Sequence, residues 1–176
     1  KQCVKCELHK NRTQVVIGRG RLAELPLLFI GEGPGEQEDI QGKAFVGSAG
    51  KLLDLVLEAL EFNTDNFYIA NIVKCRPPMN RIPTQEEAQA CLPWLRYQVK
   101  TIKPKVIVCL GGTAAKYIID NEAKITKLRG IWLEKSPFLI MPTYHPSAVL
   151  RDIHKREDFY SDLKQVKQKL IEMGQW

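Results

Sequence analysis

Three sets of residues in this chain have types and spacings that suit chemistry. The first is the stretch GEGPGEQEDIQGKAFVG, residues 31–47, which holds five glycines, one proline and four acidic residues directly after the apolar run LPLLFI. A glycine-rich loop after a strand is a common phosphate cradle, yet Glu32, Glu36, Glu38 and Asp39 would repel a phosphate. Both nucleotide fingerprints also fail on spacing. Gly31, Gly33 and Gly35 are followed by Glu36, so the third glycine of G-x-G-x-x-G is absent. A P-loop read through Gly50 and Lys51 would need glycine at Phe45 and a hydroxyl at Leu52. Two readings remain: a surface turn with solvated acids, or a loop whose backbone approaches a flat, uncharged ligand. Phe45, set between Gly42 and Gly47, favours the second, because an exposed ring there can stack on a planar group.

The second set is the cysteines, at positions 3, 6, 75, 91 and 109. Cys3 and Cys6 form C-x2-C, which lets two thiolates meet one metal, whereas fifteen residues separate Cys75 from Cys91. Zinc, an iron–sulfur cluster and buried free thiols all remain compatible with that pattern. Cys109 lies inside the β-branched run KVIVCLGG and reads as a small core hydrophobe. The third set is His145-Pro146, where the proline biases the histidine backbone to an extended conformation and hence to one direction.

The elements that position these residues alternate in type. LPLLFI, NFYIANIVK and PKVIVCLG read as buried strands, and GIWLEK and PFLIMPTYH as further strands. AGKLLDLVLEALEF has leucines at helical spacing, and PTQEEAQACLPWLRYQVKTI opens on Thr84 and Glu87 at capping-box spacing. GTAAKYIID and KREDFYSDLKQVKQKLIEMG complete the helices. Repeated strand, glycine turn and helix predict an α/β chain: a three-layer α/β/α sandwich with a central, mainly parallel sheet. No linker or repeat interrupts it, so residues 1–176 read as a single domain. In such sheets ligands bind beyond the carboxyl ends of the strands. The loops leaving those ends are residues 31–47, 71–82 and 144–151.

Composition narrows the class. With 44% hydrophobic residues over 176 the chain can bury a core. No apolar stretch reaches the roughly 18–20 residues that span a bilayer. No signal peptide pattern is present, and the opening at Lys1 without methionine suggests preceding leader residues. The expected setting is cytoplasmic, without membrane contact. The 26 Lys and Arg exceed the 20 Asp and Glu, and they gather near the N-terminus, around Lys74, Arg76 and Arg81, and over the last 30 residues. A solvated surface explains that excess, and so does a polyanionic partner such as nucleic acid.

Taken together, GEGPGEQED, GKAFVGSAG, FYIANIVKCRPPMNRIP, CLPWL and YHPSAVLR, with cysteines before and between them, resemble the family four uracil-DNA glycosylases of bacteria and archaea. The resemblance runs from Cys3 to about Arg151 with the motifs in the family's order. Glu32 separates the chain from family five, whose first motif is alanine-rich. The run from Gly47 straight into SAGKLLDL lacks the basic insert of the branch that traps its DNA product covalently.

The resemblance implies a uracil-DNA glycosylase fold acting, as a nucleoid-associated monomer, on uracil-containing DNA, single- or double-stranded. The products would be free uracil and an abasic site, as in base excision repair. It implies one structural [4Fe-4S] cluster on Cys3, Cys6, Cys75 and Cys91. It further implies that Phe45 stacks on the extruded base, that the backbone at Gly31, Gly33 and Gly35 faces its polar edge, and that Asn71 reads the N3–H and O4 edge. The Asn71 amide can do so only if its neighbours prevent it from flipping. Glu38 would reject the thymine methyl, His145 would hydrogen-bond O2, and Glu32 or Asn80 would position water. Val149, Leu150 or Arg151 would fill the vacated stack. The rival reading is a non-catalytic iron–sulfur DNA-binding domain of the kind associated with replication or repair proteins.

Overall fold

Three apolar runs form the centre of the molecule because each is covered on both faces. In the computed structural model, which describes residues 2–176, these are β1 (Leu27–Gly31), β2 (Phe67–Asn71) and β3 (Val106–Leu110), each buried along its whole length. Continuous burial is the mark of parallel strands between helical layers. Between β1 and β2 lie α1 (Glu36–Gln41) and α2 (Ser48–Ala59). Between β2 and β3 lies α3 (Gln85–Ile102). After β3 come α4 (Gly112–Ile118), α5 (Ile125–Leu128), β4 (Leu133–Lys135), β5 (Phe138–Thr143), α6 (Pro146–Arg151) and α7 (Lys155–Glu172).

The sheet order is β2-β1-β3-β5-β4, with parallel pairing throughout except at the antiparallel edge strand β4. The strand period of two divides each strand between two cores. Leu27 and Phe29 join Leu53 and Leu57 of α2 and Phe159 and Leu163 of α7. Leu28 and Ile30 join Leu95 of α3 and Ala114 of α4 on the other face. The expected three-layer sandwich with a mainly parallel sheet is therefore present.

Register aligns the strand ends that matter. Gly31 pairs with Asn71, and Leu110 with Thr143, so β1, β2, β3 and β5 finish along one edge. From β1 the sheet continues to β2 on one side and β3 on the other. That reversal opens a crevice between diverging loops at the carboxyl ends.

Two stretches read as loops contain short helices instead. Residues 36–41 form α1 and residues 146–151 form α6. At six residues each they are too short for an apolar period to declare itself. Their caps mark them: the Gly35 N–H donates to Glu38 Oε2 at 3.2 Å, and His145 Nδ1 accepts from the Ser147 N–H at 3.1 Å. The capping box of α3 forms as its spacing predicts. Thr84 Oγ1 accepts from the Glu87 N–H at 3.2 Å, and Glu87 Oε2 accepts from the Thr84 N–H at 2.8 Å.

A buried carboxylate fixes the end of β5. Asp162 on α7 is fully buried, accepts from Thr143 Oγ1 at 2.7 Å and from Arg129 Nε at 3.0 Å, and pairs with the rest of that guanidinium. Thr143 lies two residues before His145, so this network sets the height of the loop that follows. Asp162→Ala would strand a buried hydroxyl and a partly buried guanidinium. We expect it to cost about 2–4 kcal/mol in urea unfolding, with Asp162→Asn losing less.

Candidate active site

The four strand ends enclose a cavity of about 990 Å³ lined by Glu32, Phe45, Asn71, Gly111, Thr113 and His145 among others. Every glycine, polar and acidic residue singled out after β1 at positions 32, 33, 35 and 38 lines it too, as do Asn80 and Arg151. Gly31, the last residue of β1, adjoins two of the lining side chains, those of Asn71 and Phe45.

Asn71 ends β2 and is 2% exposed, and its Oδ1 is a buried acceptor without a hydrogen-bond partner. Buried acceptors left unpaired are uncommon and costly. Asn71 itself lines the cavity. A Cβ placed on Gly31 would come within 2.6 Å of Asn71 Oδ1 and 2.6 Å of Phe45 Cζ, so only glycine allows both side chains to close over that position. The main-chain carbonyl of Asn71 is held separately: Lys74 Nζ donates to it at 2.6 Å. Lys74 is itself buried, and burial pushes its pKa down to about 8, with Cys91 opposing.

The Phe45 ring is not exposed, contrary to the reading of its glycine-flanked loop. It is 5% accessible, belongs to the core on the α2 side, and lies 5.6 Å from the His145 ring at a 38° tilt. Its backbone is left-handed at φ 54°, and a Cβ on Gly50 would stand 2.0 Å from its carbonyl oxygen. Glu38 is not solvated either. Its carboxylate accepts from the N–H groups of Val46 at 2.8 Å, Gly47 at 2.7 Å and Gly35 at 3.2 Å.

Glu32 is half-buried and bonded to the hydroxyl of Thr113 on α4, which bridges the crevice between β1 and β3. Asn80 is exposed at the rim, and its Oδ1 accepts from Arg76 Nε at 2.8 Å. Thr113 escaped the sequence reading because nothing in GGTAAK marks a partner in another segment, and Lys74, read as part of a basic cluster, is buried instead. Asp39, read only as one of the acids of the loop, is buried and accepts from the N–H of Thr13 at 3.0 Å and of Gln14 at 3.3 Å.

His145 caps α6. Because its Nδ1 accepts from the Ser147 N–H, the proton of the neutral ring sits on Nε2 and is free for donation. Burial first, and then the charge of Arg151, hold its pKa down at about 4 against the opposing charge of Glu38. The ring is therefore a neutral donor at physiological pH. Of the three residues after Ala148, Val149 is 1% exposed and packs in the core, whereas Leu150 is 44% exposed and Arg151 is exposed.

The cofactor expectation requires correction. Cys3, Cys6, Cys75 and Cys91 line one second cavity of about 280 Å³. Among the described residues, however, no group of three or more His, Cys, Asp or Glu side chains is arranged to hold a metal ion. The cysteines are free thiols with other engagements. Arg12 donates to Cys75 Sγ at 3.1 Å and the Lys74 N–H to Cys91 Sγ at 3.3 Å. Burial raises the pKa of both thiols, that of Cys91 to about 11, with Arg12 opposing at Cys75 and Lys74 at Cys91. The N-terminal arm that carries Cys3 and Cys6 is anchored by burial and by hydrogen bonds. Leu8 and Val16 are buried, the Val16 N–H donates to the Lys74 carbonyl at 2.8 Å, and Asp39 holds residues 13 and 14.

A three-layer sandwich with a polar cavity at the switch point of its parallel sheet defines a class, and comparison with known proteins agrees with it. The profile of the Uracil DNA glycosylase superfamily matches residues 17–168. The type-4 uracil-DNA glycosylase of Thermotoga maritima is 47% identical over 156 residues, covering 86% of this chain and 80% of that protein. Those of Sulfurisphaera tokodaii and Archaeoglobus fulgidus are 42% and 40% identical, covering 96% and 93% of this chain and 80% and 86% of theirs. The chain belongs to the type-4 uracil-DNA glycosylase family. It is a hydrolase of DNA repair, which removes the reading as a non-catalytic module. No helix among the described residues is long and apolar enough to cross a membrane.

The depressed pKa of His145 has a consequence for stability. An unfolded histidine takes up its proton near pH 6.5, whereas the folded one resists until about pH 4. Between those values the unfolded state binds more protons, so stability falls as pH falls through that window and then levels off. The loss assigned to this ring is about 1–3 kcal/mol, after allowance for its partial exposure. Urea unfolding at pH 7 and pH 4.5 should show a larger acid loss for the wild type than for His145→Gln.

Proposed function

We propose that the chain extrudes uracil from DNA into the cavity and hydrolyses its N-glycosidic bond, releasing free uracil and leaving an abasic site. The observation that carries this reading is that Asn71, whose buried Oδ1 has no hydrogen-bond partner, lines the same cavity as His145, whose Nδ1 accepts from Ser147 and so leaves Nε2 as the donor. Uracil offers a donor at N3–H and an acceptor at O2, and these two groups complement that edge. Cytosine carries no proton at N3 and would leave Asn71 Oδ1 unpaired.

The steps follow from the groups available. A base inside a duplex is out of reach, so it must leave the stack at a cost of a few kcal/mol. The ring then lies against Phe45, with the backbone of Gly31, Gly33 and Gly35 along its polar edge. Glu38, spent on three N–H groups, acts through the loop it holds and narrows the space beside C5, where thymine carries its methyl. As the glycosidic bond lengthens, the sugar becomes oxocarbenium-like and negative charge gathers on the uracil. His145 Nε2–H donates to O2 and stabilises that charge, the logic of an oxyanion hole. A neutral donor suits this role, because it need not surrender its proton to a weakly basic oxygen.

Water must then attack the sugar. Glu32 is the better candidate to position it, since Thr113 orients its carboxylate within the cavity, whereas the Asn80 oxygen is committed to Arg76. Leu150 and Arg151, exposed on α6, are the candidates to enter the vacated stack, since Val149 is packed in the core. We read the protein as a monomeric, single-domain enzyme, in which one sheet supports both cores and the cavity.

Incubation with uracil-containing DNA followed by alkali tests the reading, with strand scission at the uracil as the expected result. Two variants separate bond breaking from base reading. His145→Ala should lower the single-turnover rate roughly 10²- to 10³-fold while binding to uracil-containing DNA changes far less. Asn71→Asp replaces the amide donor to O4 by an acceptor, and should slow uracil release roughly 10- to 100-fold while relaxing discrimination against cytosine. A His145→Ala enzyme that cleaves like its parent would refute the assignment of O2 to this histidine.

A further inference from the structure

The rim of the cavity carries an apolar side chain that the pocket chemistry does not use. Pro77, Asn80, Arg81 and Ile82 line the cavity, while Met79, between them, is 94% exposed. Its backbone is left-handed at φ 53° and ψ 24°, and so is that of Asn80 at φ 54°. Asparagine tolerates that region, but methionine has no side-chain hydrogen bond to compensate for it. Such strain persists only where the surroundings over-determine it, and it gathers at functional positions.

The surroundings here do so. The N–H of Asn80 donates to the Pro77 carbonyl at 3.0 Å and that of Arg81 to the Pro78 carbonyl at 3.1 Å. Arg76 Nε holds the Asn80 side chain at 2.8 Å, and Arg81 makes two bonds to Glu87 at 2.8 and 2.7 Å. An unbranched thioether is thus held out in water on a clamped turn between two guanidinium groups, beside the opening through which a base would enter. Apolar side chains so presented serve minor-groove proteins as wedges between base steps, and a polarizable sulfur suits contact with an aromatic face.

We propose that Met79 is a DNA wedge: its side chain enters the base stack next to the extruded nucleotide, separately from Leu150 and Arg151 on α6. The proposal rests on the reading of the cavity as a uracil pocket. A wedge matters only where there is a stack to open, so its effect belongs to duplex DNA and vanishes on a single strand.

The test compares Met79→Gly and Met79→Leu with the wild type. Glycine removes the side chain and relieves the left-handed strain, so the thermal midpoint should stay level or rise. Saturating single-turnover cleavage of uracil in a duplex should fall roughly tenfold, while the same strand alone is cleaved at the parental rate. Leucine should restore most of the duplex rate. In parallel, 2-aminopurine beside the uracil should brighten when the wild type binds the duplex and stay dim with Met79→Gly. Equal losses on both substrates, or no loss on either with unchanged fluorescence, would overturn the proposal. The fluorescence is read on binding, so unstacking that depends on Met79 without uracil release would keep the wedge and refute the pocket chemistry. Normal uracil release with fluorescence indifferent to Met79 would do the reverse.

Discussion

The carboxylate of Glu38 collects the N–H groups of Gly35, Val46 and Gly47, and the geometry of the cavity depends on that one clamp. Three backbone donors thus meet one side chain. By joining the loop after β1 to the start of α2, the clamp holds the segment in which Phe45 is left-handed, while Arg19 bonds the Phe45 carbonyl at 2.9 Å from the other side. With Phe45 fixed, its ring leaves no room for a Cβ at Gly31 and its backbone none at Gly50, and the His145 ring finds its neighbour at 5.6 Å. Loss of the clamp would release the wall of the cavity rather than a single contact.

The same arrangement resolves how an acidic loop can serve a protein that binds a polyanion. The acids do not face outward as a group. Glu38 and Asp39 are buried against backbone N–H groups, Glu32 is bonded to Thr113, and Glu36 lies 3.5 Å from Arg76. Their charge is consumed in holding loops, which leaves the basic excess of the chain, +6 overall, to set its long-range field. A neutral His145 continues the pattern. The cavity offers polar groups without net positive charge, which suits a neutral base better than a phosphate.

The cysteines illustrate how a spacing can be compatible with a metal without the arrangement supplying a ligand set. All four approach one cavity beneath the N-terminal arm, yet Cys75 and Cys91 are buried thiols engaged by Arg12 and Lys74. The arm is secured by apolar burial at Leu8 and Val16 and by Asp39, an acid 25 or more residues away in sequence. Lys74 joins the two regions: its backbone bonds Cys91 and Val16 while its ammonium bonds the carbonyl of Asn71.

Period and composition alone determined the strands, the long helices and the capping box at Thr84, because those signals are local and repeat over many residues. The sequence also singled out Gly31 and His145 by residue type and place, and Asn71 through the family resemblance, all three where strands end. Tertiary structure decided the rest, because it depends on partners distant in sequence. The Phe45 ring, read as exposed, is buried because α2 and His145 close over it. Glu38, read as solvated or facing a ligand, bonds backbone eight and nine residues on. The short helices α1 and α6 replace loops because a single capped turn carries no period. Thr113, 81 residues from Glu32, shows the limit most plainly. No local pattern announces a bond between two strand ends, since it exists only once β1 and β3 lie side by side.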